Sequence, residues 1–243
     1  MDKQIYLQTR EVEDKHWWFA GRRMIIKHMI ESLKLPQRSA ILDVGCGTGG
    51  NLALLSEFGN VMGVELDDRA LELACGRRVG KVLKGSLPDG MPFETQFFDL
   101  ICILDVLEHI EDDLSSLRSL KTLLTPKGYM LLTVPAFPFL WGQHDMEHHH
   151  KRRYQATALQ RIIQKAGLKI KHLTYYNTWL FPVVVISRIL RQIVPSKQVG
   201  ADVQIPNCTV NKLLQAVFGS ERHLVNRMKM PFGVSILAVL QKG

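Results

Sequence analysis

A glycine-rich stretch follows a short apolar segment in this chain of 243 residues. Residues 40–44 are too short and too continuously apolar for an amphipathic helix, so they predict a buried strand that ends at Gly45, Gly47, Gly49 and Gly50. Glycine is needed where the backbone takes a positive φ, or where a ligand approaches too closely for a Cβ. The helix predicted after the turn points its first N–H groups and its positive dipole end at the turn. The stretch therefore indicates a site for a nucleotide-type cofactor.

Two kinds of cofactor fit this loop. The glycines satisfy G-x-G-x-x-G, and Glu65 ends a second apolar strand about where a ribose-binding acid lies in dinucleotide-binding folds. A dehydrogenase is therefore one hypothesis. Asp43 counts against it, because a carboxylate two residues before the first glycine would repel a pyrophosphate and could face a cationic ligand group. Gly49 adds the different pattern G-x-G-x-G.

The sequence DVGCGTGG, followed by GVELDD, resembles the glycine loop and acidic strand end of class I S-adenosylmethionine-dependent methyltransferases. The resemblance implies an α/β fold with a Rossmann-like, doubly wound sheet of seven strands, the last antiparallel. It also implies that the loop backs the methionine moiety and that Glu65 binds both ribose hydroxyls. The cofactor-binding residues that it implies are Asp43, Gly45, Cys46, Gly47, Gly49, Glu65, Leu66, Ser86, Leu87, Leu104 and Asp105. Ser86 stands where the family usually has an acid beside the adenine.

The N-terminal segment HWWFAGRR resembles the opening motif of a microbial methyltransferase subgroup associated with glycan or lipid-linked polymer biosynthesis. The resemblance places Trp17 and Arg23 beside the cofactor and makes residues 1–39 a helical lid. Aromatic rings suit a lid over a sulfonium ligand, through cation–π attraction and the exclusion of water. The alternative is plain packing of a helix on the sheet. Two adjacent tryptophans cannot share one helix face, so we expect at least one to project away from the core.

Histidines and arginines crowd residues 135–154, which follow a strand predicted at residues 129–134. The patterns W-x-x-H-D and H-x-R-R-Y resemble the same subgroup, at Trp141, His144, Asp145, His150, Arg152, Arg153 and Tyr154. The segment leaves the carboxyl end of a strand, so its histidines are candidates for the general base and its arginines for binding a phosphate or carboxylate. We expect His144 or His150 to act as base ahead of His109, which could equally cap or pack a helix. Adjacent histidines close poorly on one metal, and no cysteine spacing supports them, so no metal is predicted.

Residues 98–104 predict a buried strand with residues 105–111 as the loop at its carboxyl end. Ligands of open α/β sheets bind outside the carboxyl ends of strands, so Leu104, Asp105, Glu108 and His109 should face the pocket. The segment resembles the fourth-strand motif of small-molecule methyltransferases and lacks the N-P-P-Y type sequence of enzymes that methylate amino groups of bases or of glutamine.

The length fits one methyltransferase domain over residues 1–243. The four cysteines lack C-x-x-C spacing, and the N-terminus is polar, which indicates free thiols and a cytoplasmic protein. The formal net charge of +8 favours an acidic partner, but the basic residues are spread along the chain. No RNA-binding module is recognisable, so a nucleic-acid partner is not expected.

Alternating strands and helices are predicted up to residue 176, and a last strand at residues 234–241. Between them lies a helical insertion, residues 177–231, which opens with the apolar stretch 179–194. That stretch is too short to span a bilayer, so it is a core helix, a homodimer interface or a helix lying peripherally at the membrane surface.

These patterns together predict methyl transfer from S-adenosylmethionine to a small or lipid-linked acceptor, with an oxygen of a sugar or related polar metabolite as the preferred atom. A lipid-linked glycan would fit the subgroup that the N-terminal and histidine-rich motifs resemble. The alternatives are a nucleic-acid methyltransferase and a non-catalytic regulator that binds the cofactor.

Overall fold

A computed structural model of the chain describes residues 3–93, 97–193 and 204–242. The described residues form one sheet, whose seven strands are β1 (Ser39–Val44), β2 (Gly59–Glu65), β3 (Lys81–Lys84), β4 (Phe98–Leu104), β5 (Leu124–Pro135), β6 (Leu168–Tyr176) and β7 (Ser235–Lys242). The helices are α1 (Lys3–Val12), α2 (Trp17–Leu33), α3 (Leu52–Ser56), α4 (Asp68–Cys75), α5 (Asp113–Leu123), α6 (Gln143–Glu147), α7 (Ala156–Lys165), α8 (Phe181–Ile193), α9 (Cys208–Ser220) and α10 (Arg222–Val225).

The strand order is β3-β2-β1-β4-β5-β7-β6. All pairs are parallel except those of β7, which runs antiparallel to β5 and to β6. The order reverses between β1 and β4, and the crevice outside the carboxyl ends of strands at such a reversal is where open α/β sheets bind ligands. The predicted Rossmann-like sheet, its antiparallel last strand and the helical insertion before that strand are confirmed.

The middle strands are continuously apolar because helices cover both faces of the sheet. Leu42 and Ile101 lie fully buried in the cluster on one face, and Ile41 and Leu100 in the cluster on the other. Burying each such side chain stabilises the fold by about 1.5–3 kcal/mol. The sheet is therefore a rigid platform for the loops at its carboxyl edge.

Residues 24–33 show helical periodicity in the sequence, but α2 begins earlier, at Trp17. His16 is its N-cap, and Nδ1 of His16 accepts a hydrogen bond from the backbone N–H of Trp18. Trp17 and Trp18 are both half-buried against the same apolar cluster. The expectation that one of them projects away from the core was wrong, because the helix is covered on more than one side.

The Thr-Pro-Lys-Gly sequence of residues 125–128 predicts a turn, but these residues belong to β5. The pairing of β4 with β5 jumps from Phe98 opposite Leu124 to Leu100 opposite Tyr129, so the extra residues form a bulge. The prediction of a turn at residues 125–128 was therefore wrong, because the strand continues through them.

The insertion supplies α8, α9 and α10, and α9 packs closely on α2. A Cβ built on Gly21 would lie 2.7 Å from Cδ1 of Phe218, and one on Gly219 would lie 2.7 Å from Sδ of Met24. Two glycines therefore allow the close approach of the helices. Residues 194–203, which include the end of the apolar stretch 179–194, lie outside the described residues, as do residues 1 and 2 of the predicted lid. None of the helices within the described ranges has the length and apolar character needed to cross a membrane.

Candidate functional site

The glycine loop connects β1 to α3 at the carboxyl edge of the sheet. Gly45, Gly47 and Gly49 have φ values of 65°, 55° and 81°, a region that side chains with a Cβ rarely adopt. The backbone N–H groups of Gly45 and Cys46 donate to the carbonyl of Val64, at 2.8 and 3.1 Å, and fix the loop against β2.

The three glycines differ in what surrounds them. A Cβ on Gly45 would lie 2.6 Å from Cγ2 of Val106, and one on Gly49 would lie 2.8 Å from Cδ of Arg77. A Cβ on Gly47 would have no atom of the described residues within 4 Å. Gly45 and Gly49 are therefore required by packing, whereas Gly47 borders open space on the side where a ligand can approach.

The carboxylate of Glu65 lies at the end of β2, directly beside the loop. Its Oε2 accepts a hydrogen bond from the N–H of Gly47 at 2.8 Å, and its Oε1 accepts from the N–H groups of Leu66 and Asp67 at 2.9 and 3.0 Å. Three backbone donors thus hold a nearly buried carboxylate in one orientation. The Leu66 side chain is exposed beside it.

Ser86 and Leu87 follow β3. The backbone of Ser86 pairs with that of Gly90 in both directions, at 3.0 and 2.9 Å, which closes a tight loop. Leu87 is half-buried against the main apolar cluster. Their contact with an adenine ring stays a prediction.

Asp43 is buried in β1 under the glycine loop, and its Oδ2 has no hydrogen-bond partner among the described residues. Burial raises the pKa of Asp43 to about 7, Arg22 opposes this rise and Glu65 adds to it. Cys46 turns its thiol towards Gly63 of β2, where a Cβ would lie 2.9 Å from Sγ, and burial raises the pKa of that thiol. Only the backbone of Cys46 thus belongs to the loop surface.

An ion pair between buried Arg22 and half-buried Asp105 lies beside the end of β4. Nη2 of Arg22 is 2.8 Å from Oδ2 of Asp105 and 3.0 Å from Oγ1 of Thr133, and that hydroxyl donates to Oδ1 of Asp105 at 3.0 Å. Asp105 has a φ of 58°, and Leu104 before it is buried. Burial alone would lower the pKa of Arg22, but its neighbours, chiefly Asp105, raise it. The network fixes the loop after β4.

Arg22 was missed by the sequence analysis, which named its neighbour Arg23. Nη2 of Arg23 instead donates to the carbonyls of Glu13 and Asp14, at 2.8 and 3.4 Å. Trp17 packs edge-on against Phe218, with ring centroids 6.1 Å apart. Both side chains thus hold the N-terminal helices in place, and their contact with a cofactor stays a prediction.

The N-terminal helix α1 and the residues after it cover the glycine loop. Oε1 of buried Glu13 accepts from Oγ1 of Thr48 and from Nη2 of Arg77, both at 2.5 Å. Burial, followed by the charges of Glu65 and Asp67, raises the pKa of Tyr6 in α1 to about 12. No motif marks Glu13 or Tyr6, because their roles come from tertiary contacts.

A histidine and an aspartate form a fixed pair after β5. Nδ1 of His150 is 2.9 Å from Oδ1 of Asp145, which also accepts from Nε of Arg153 at 2.8 Å. The N–H of Gly142 donates to the other oxygen at 2.8 Å. Burial opposes ionisation, but His150 and Arg153 hold the pKa of Asp145 well below its usual range. The carboxylate therefore orients the imidazole, whose Nε2 remains for another partner.

Two further side chains complete this group. Glu108, His109 and His150 each offer one ligand atom, and these atoms lie within 4.8 Å of one another. Burial, followed by the charges of His150 and His148, lowers the pKa of His109 to about 4, so its ring is neutral at pH 7. The ring of His144 lies 5.9 Å from that of His150 and 4.2 Å from that of His148, centroid to centroid. All three predicted catalytic histidines thus lie in one group.

Comparison with known proteins identifies the family of this chain. A family model described as "Methyltransferase domain" matches residues 19–173, so the chain belongs to this methyltransferase family. The TehB-like S-adenosylmethionine-dependent methyltransferase of Corynebacterium glutamicum has the same fold, with a TM-score of 0.54 at 17% identity over 89% of this chain and 87% of that one. The predicted class of S-adenosylmethionine-dependent methyltransferases is confirmed at this level.

Sequence relatives include the ubiquinone biosynthesis O-methyltransferase of Vibrio vulnificus, 27% identical over 145 residues, which cover 52% of this chain and 61% of the relative. The demethylmenaquinone methyltransferase of Staphylococcus epidermidis is 29% identical over 135 residues, which cover 50% of this chain and 54% of the relative. The match thus spans less than two thirds of each of these relatives.

Proposed function

We propose that the chain transfers the methyl group of S-adenosylmethionine to a hydroxyl oxygen of a small or lipid-linked acceptor, with a sugar or related polar metabolite as the acceptor class. The cofactor supplies an activated methyl group on a cationic sulfur. The protein contributes binding, alignment of the acceptor oxygen with the methyl carbon, and exclusion of water.

The residues at the carboxyl edge fit this cofactor. Glu65 has two oxygens held by backbone donors and is suited to a pair of ribose hydroxyls. Gly47 leaves its open side to the ligand, and the unpartnered oxygen of Asp43 suits the cationic amino group of the methionine moiety. An acid under the loop is a poor neighbour for a pyrophosphate, which supports S-adenosylmethionine over NAD.

The observation that carries the proposal for the acceptor is the Asp145–His150 pair at the same edge of the sheet. The loop after β4 connects the two halves of the site, because Val106 packs on Gly45 and Glu108 and His109 follow two and three residues later. An acceptor hydroxyl at the histidine group therefore lies next to the cofactor loop. Loss of its proton must accompany methyl transfer, and this group is placed to assist.

A phenolic quinone precursor is a second candidate acceptor, and the names of the relatives favour it. The two acceptor classes differ in pKa: a phenol ionises near pH 10, like tyrosine, whereas a sugar hydroxyl needs far more help to lose its proton. Dependence on the histidine group should accordingly be greater for a sugar.

A lipid-linked acceptor would also need a surface that meets the membrane. Trp179, Val183 and Ile186, at and near the start of α8, are exposed by 48%, 64% and 57% and form a candidate for peripheral membrane contact. A homodimer interface on the same face is the alternative occupant.

Two measurements test the proposal. Calorimetry should show binding of S-adenosylmethionine and its demethylated product and no binding of NAD; binding of NAD alone would overturn the cofactor assignment. Transfer of radiolabelled methyl to panels of nucleotide-linked sugars, lipid-linked sugars and catechols should then show turnover with one hydroxyl class. Turnover only with amines or with RNA would contradict O-methylation.

A further inference from the structure

The side chains of Glu108, His109 and His150 lie together in a way that the fold alone does not require. Glu108 and His109 belong to the short 3-10 helix Leu107–His109 after β4, and His150 belongs to the loop after α6. The two imidazole rings cross at 85° with centroids 4.6 Å apart. Two loops therefore bring one carboxylate and two imidazoles to one point.

Glu108 is the exceptional member of this group. It is fully buried, and neither of its carboxylate oxygens has a hydrogen-bond partner among the described residues. Buried polar groups are otherwise satisfied almost everywhere in proteins, and a buried carboxylate needs a proton or a cation. Arg153 makes no hydrogen bond to Glu108, since its Nε and Nη1 donate to Asp145 and to the carbonyl of Ala136, and it acts on the Glu108 carboxyl through its charge.

His150 also has a feature that is typical of metal ligands. Its Nδ1 is paired with the buried carboxylate of Asp145, which directs Nε2 as the nitrogen that can bind a further partner. Histidines that ligate metals almost always make such a contact through the other ring nitrogen. The charges of Arg153 and Asp145 cancel, so these two residues add no net charge beside the three side chains.

We propose that Glu108, His109 and His150 bind one divalent transition-metal ion, which in turn binds the oxygen of the acceptor. Two imidazoles and one carboxylate suit Zn²⁺, Mn²⁺, Co²⁺ or Fe²⁺ better than Mg²⁺, which takes mostly oxygen ligands. Ligand atoms of a tetrahedral zinc site lie about 3.4 Å apart, given metal–ligand distances near 2.1 Å. The three ligand atoms lie within 4.8 Å of one another, so the side chains must rotate until these atoms are about an ångström closer together.

The role of the ion rests on the proposed function, but its binding does not. Three protein ligands leave positions for an acceptor oxygen, and an ion of charge +2 beside one carboxylate keeps a net positive charge. The acceptor hydroxyl bound there has a lower pKa and loses its proton to solvent water. Its oxygen lone pair then forms the new bond to the methyl carbon, while the carbon–sulfur bond breaks and its electron pair stays on the now neutral sulfur.

The sequence analysis predicted no metal because it weighed only the run of adjacent histidines, residues 148–150. Of that run, the ligand set uses His150 alone. The other two ligands come from the loop after β4, about 40 residues earlier in the chain.

Cobalt titration of untagged, chelator-treated protein tests the site, because the visible absorption of Co²⁺ reports its coordination. We expect one equivalent of Co²⁺ per chain, with the absorption of a four- or five-coordinate ion, and displacement by Zn²⁺. Glu108→Gln and His109→Gln should each weaken Co²⁺ binding by at least 100-fold, and Asp145→Asn by about 10- to 100-fold. His149→Asn is the matched control, since this exposed neighbour has a φ of 54° that Asn tolerates, and it should bind Co²⁺ as the wild type does.

Thermal melts keep the test decisive if one variant folds poorly. Zn²⁺ should raise the melting temperature of the wild type in a concentration-dependent way and leave that of Glu108→Gln or His109→Gln unchanged. No binding by the wild type, or loss of binding in His149→Asn with retention in Glu108→Gln, would overturn the site. Protein that binds S-adenosylmethionine but no Co²⁺ would refute the ion alone. Protein that binds Co²⁺ but not S-adenosylmethionine would refute the proposed function and leave the site standing.

Discussion

Glu65 and Gly47 meet across the cofactor crevice: Oε2 of the carboxylate accepts a hydrogen bond from the backbone N–H of the glycine at 2.8 Å. The end of β2 is thereby connected to the loop after β1. Oε1 accepts two backbone hydrogen bonds and Oε2 accepts one, so Oε2 keeps a lone pair for a hydroxyl group of a ligand while the same carboxylate holds the loop.

Glu65→Gln should weaken the binding of S-adenosylmethionine by about 1.5–3 kcal/mol, because charge-assisted hydrogen bonds become neutral ones and an amide N–H₂ replaces one acceptor. This corresponds to an increase in Kd of roughly 10- to 150-fold, measured by calorimetry. Asp68→Asn, an exposed change three residues away at the start of α4, is the control and should leave Kd unchanged. An unaltered Kd in Glu65→Gln would show that Glu65 has only the structural role.

Gly47→Asn should abolish cofactor binding while the fold persists. Asn tolerates a positive φ, and a Cβ at this position meets no atom of the described residues, so the cost in folding free energy should be about 1 kcal/mol. The added side chain fills the space that the ligand needs. Gly167→Asn is the matched control, since Gly167 has a φ of 73° and its Cβ would meet only the flexible end of Lys121. Equal cofactor affinity in the two variants, measured by calorimetry, would contradict the placement of the cofactor.

Asp43 should make the folded protein less stable as the pH rises from about 4 to 7. The unfolded carboxyl has a pKa near 3.9, whereas burial raises the pKa in the folded protein to about 7, so the native state binds the extra proton across this range. The free energy of unfolding should therefore fall with rising pH, by at most about 4 kcal/mol from this residue. Urea unfolding at several pH values should show the loss in the wild type and not in Asp43→Asn.

The same group should couple cofactor binding to proton release. If the cationic amino group of the ligand pairs with ionised Asp43, binding of S-adenosylmethionine near pH 6 displaces the proton from the carboxyl. Calorimetry in buffers with different ionisation enthalpies measures this directly. Binding without proton release in the wild type would show that the ligand cation lies elsewhere.

The sheet and its cofactor loop were predictable because both depend on local sequence. The apolar runs set β1, β4 and β5, and the glycines and Glu65 mark the loop and the strand end. Residues 125–128 show the limit of local patterns, since the Thr-Pro-Lys-Gly sequence reads as a turn but pairing with β4 extends the strand through it.

The side chains that complete the site depend on contacts between distant segments. Arg22 and Arg23 are equivalent in the sequence, and only the packing of α2 on the sheet directs Arg22 to Asp105. Glu13 meets Thr48 and Arg77 across a distance of 35 residues or more along the chain. No sequence motif indicates that Glu108 is a buried carboxylate without a hydrogen-bond partner among the described residues. Its proximity to His150 was therefore visible only in the structure.

His150→Ala should lower kcat by roughly 10²–10⁴ and leave the Kd of S-adenosylmethionine nearly unchanged, because we propose that the histidine group contacts the acceptor and not the cofactor. His109→Ala should also lower kcat. His144→Ala tests the third predicted catalytic histidine. His149→Asn controls for general effects of removing a histidine from this segment. Wild-type turnover in all three alanine variants would show that no histidine of the group assists catalysis.

The exposed face of α8 should bind anionic lipid. Val183 and Ile186 are 64% and 57% exposed, and a helix that shows such side chains to solvent gains free energy when they enter a membrane interface. Flotation with liposomes that contain anionic lipid, at low salt, should bring the wild type to the top fraction. The double variant Val183→Glu, Ile186→Glu should stay at the bottom, because its carboxylates repel the anionic surface and are costly to bury in it.

Leu213→Glu is the matched control, since Leu213 of α9 is 61% exposed and the substitution is of the same kind. It should float as the wild type does. Sedimentation equilibrium separates the two possible occupants of the α8 face. If the wild type fails to float but dimerises, and the double variant is a monomer, α8 is a homodimer interface and the membrane contact is wrong.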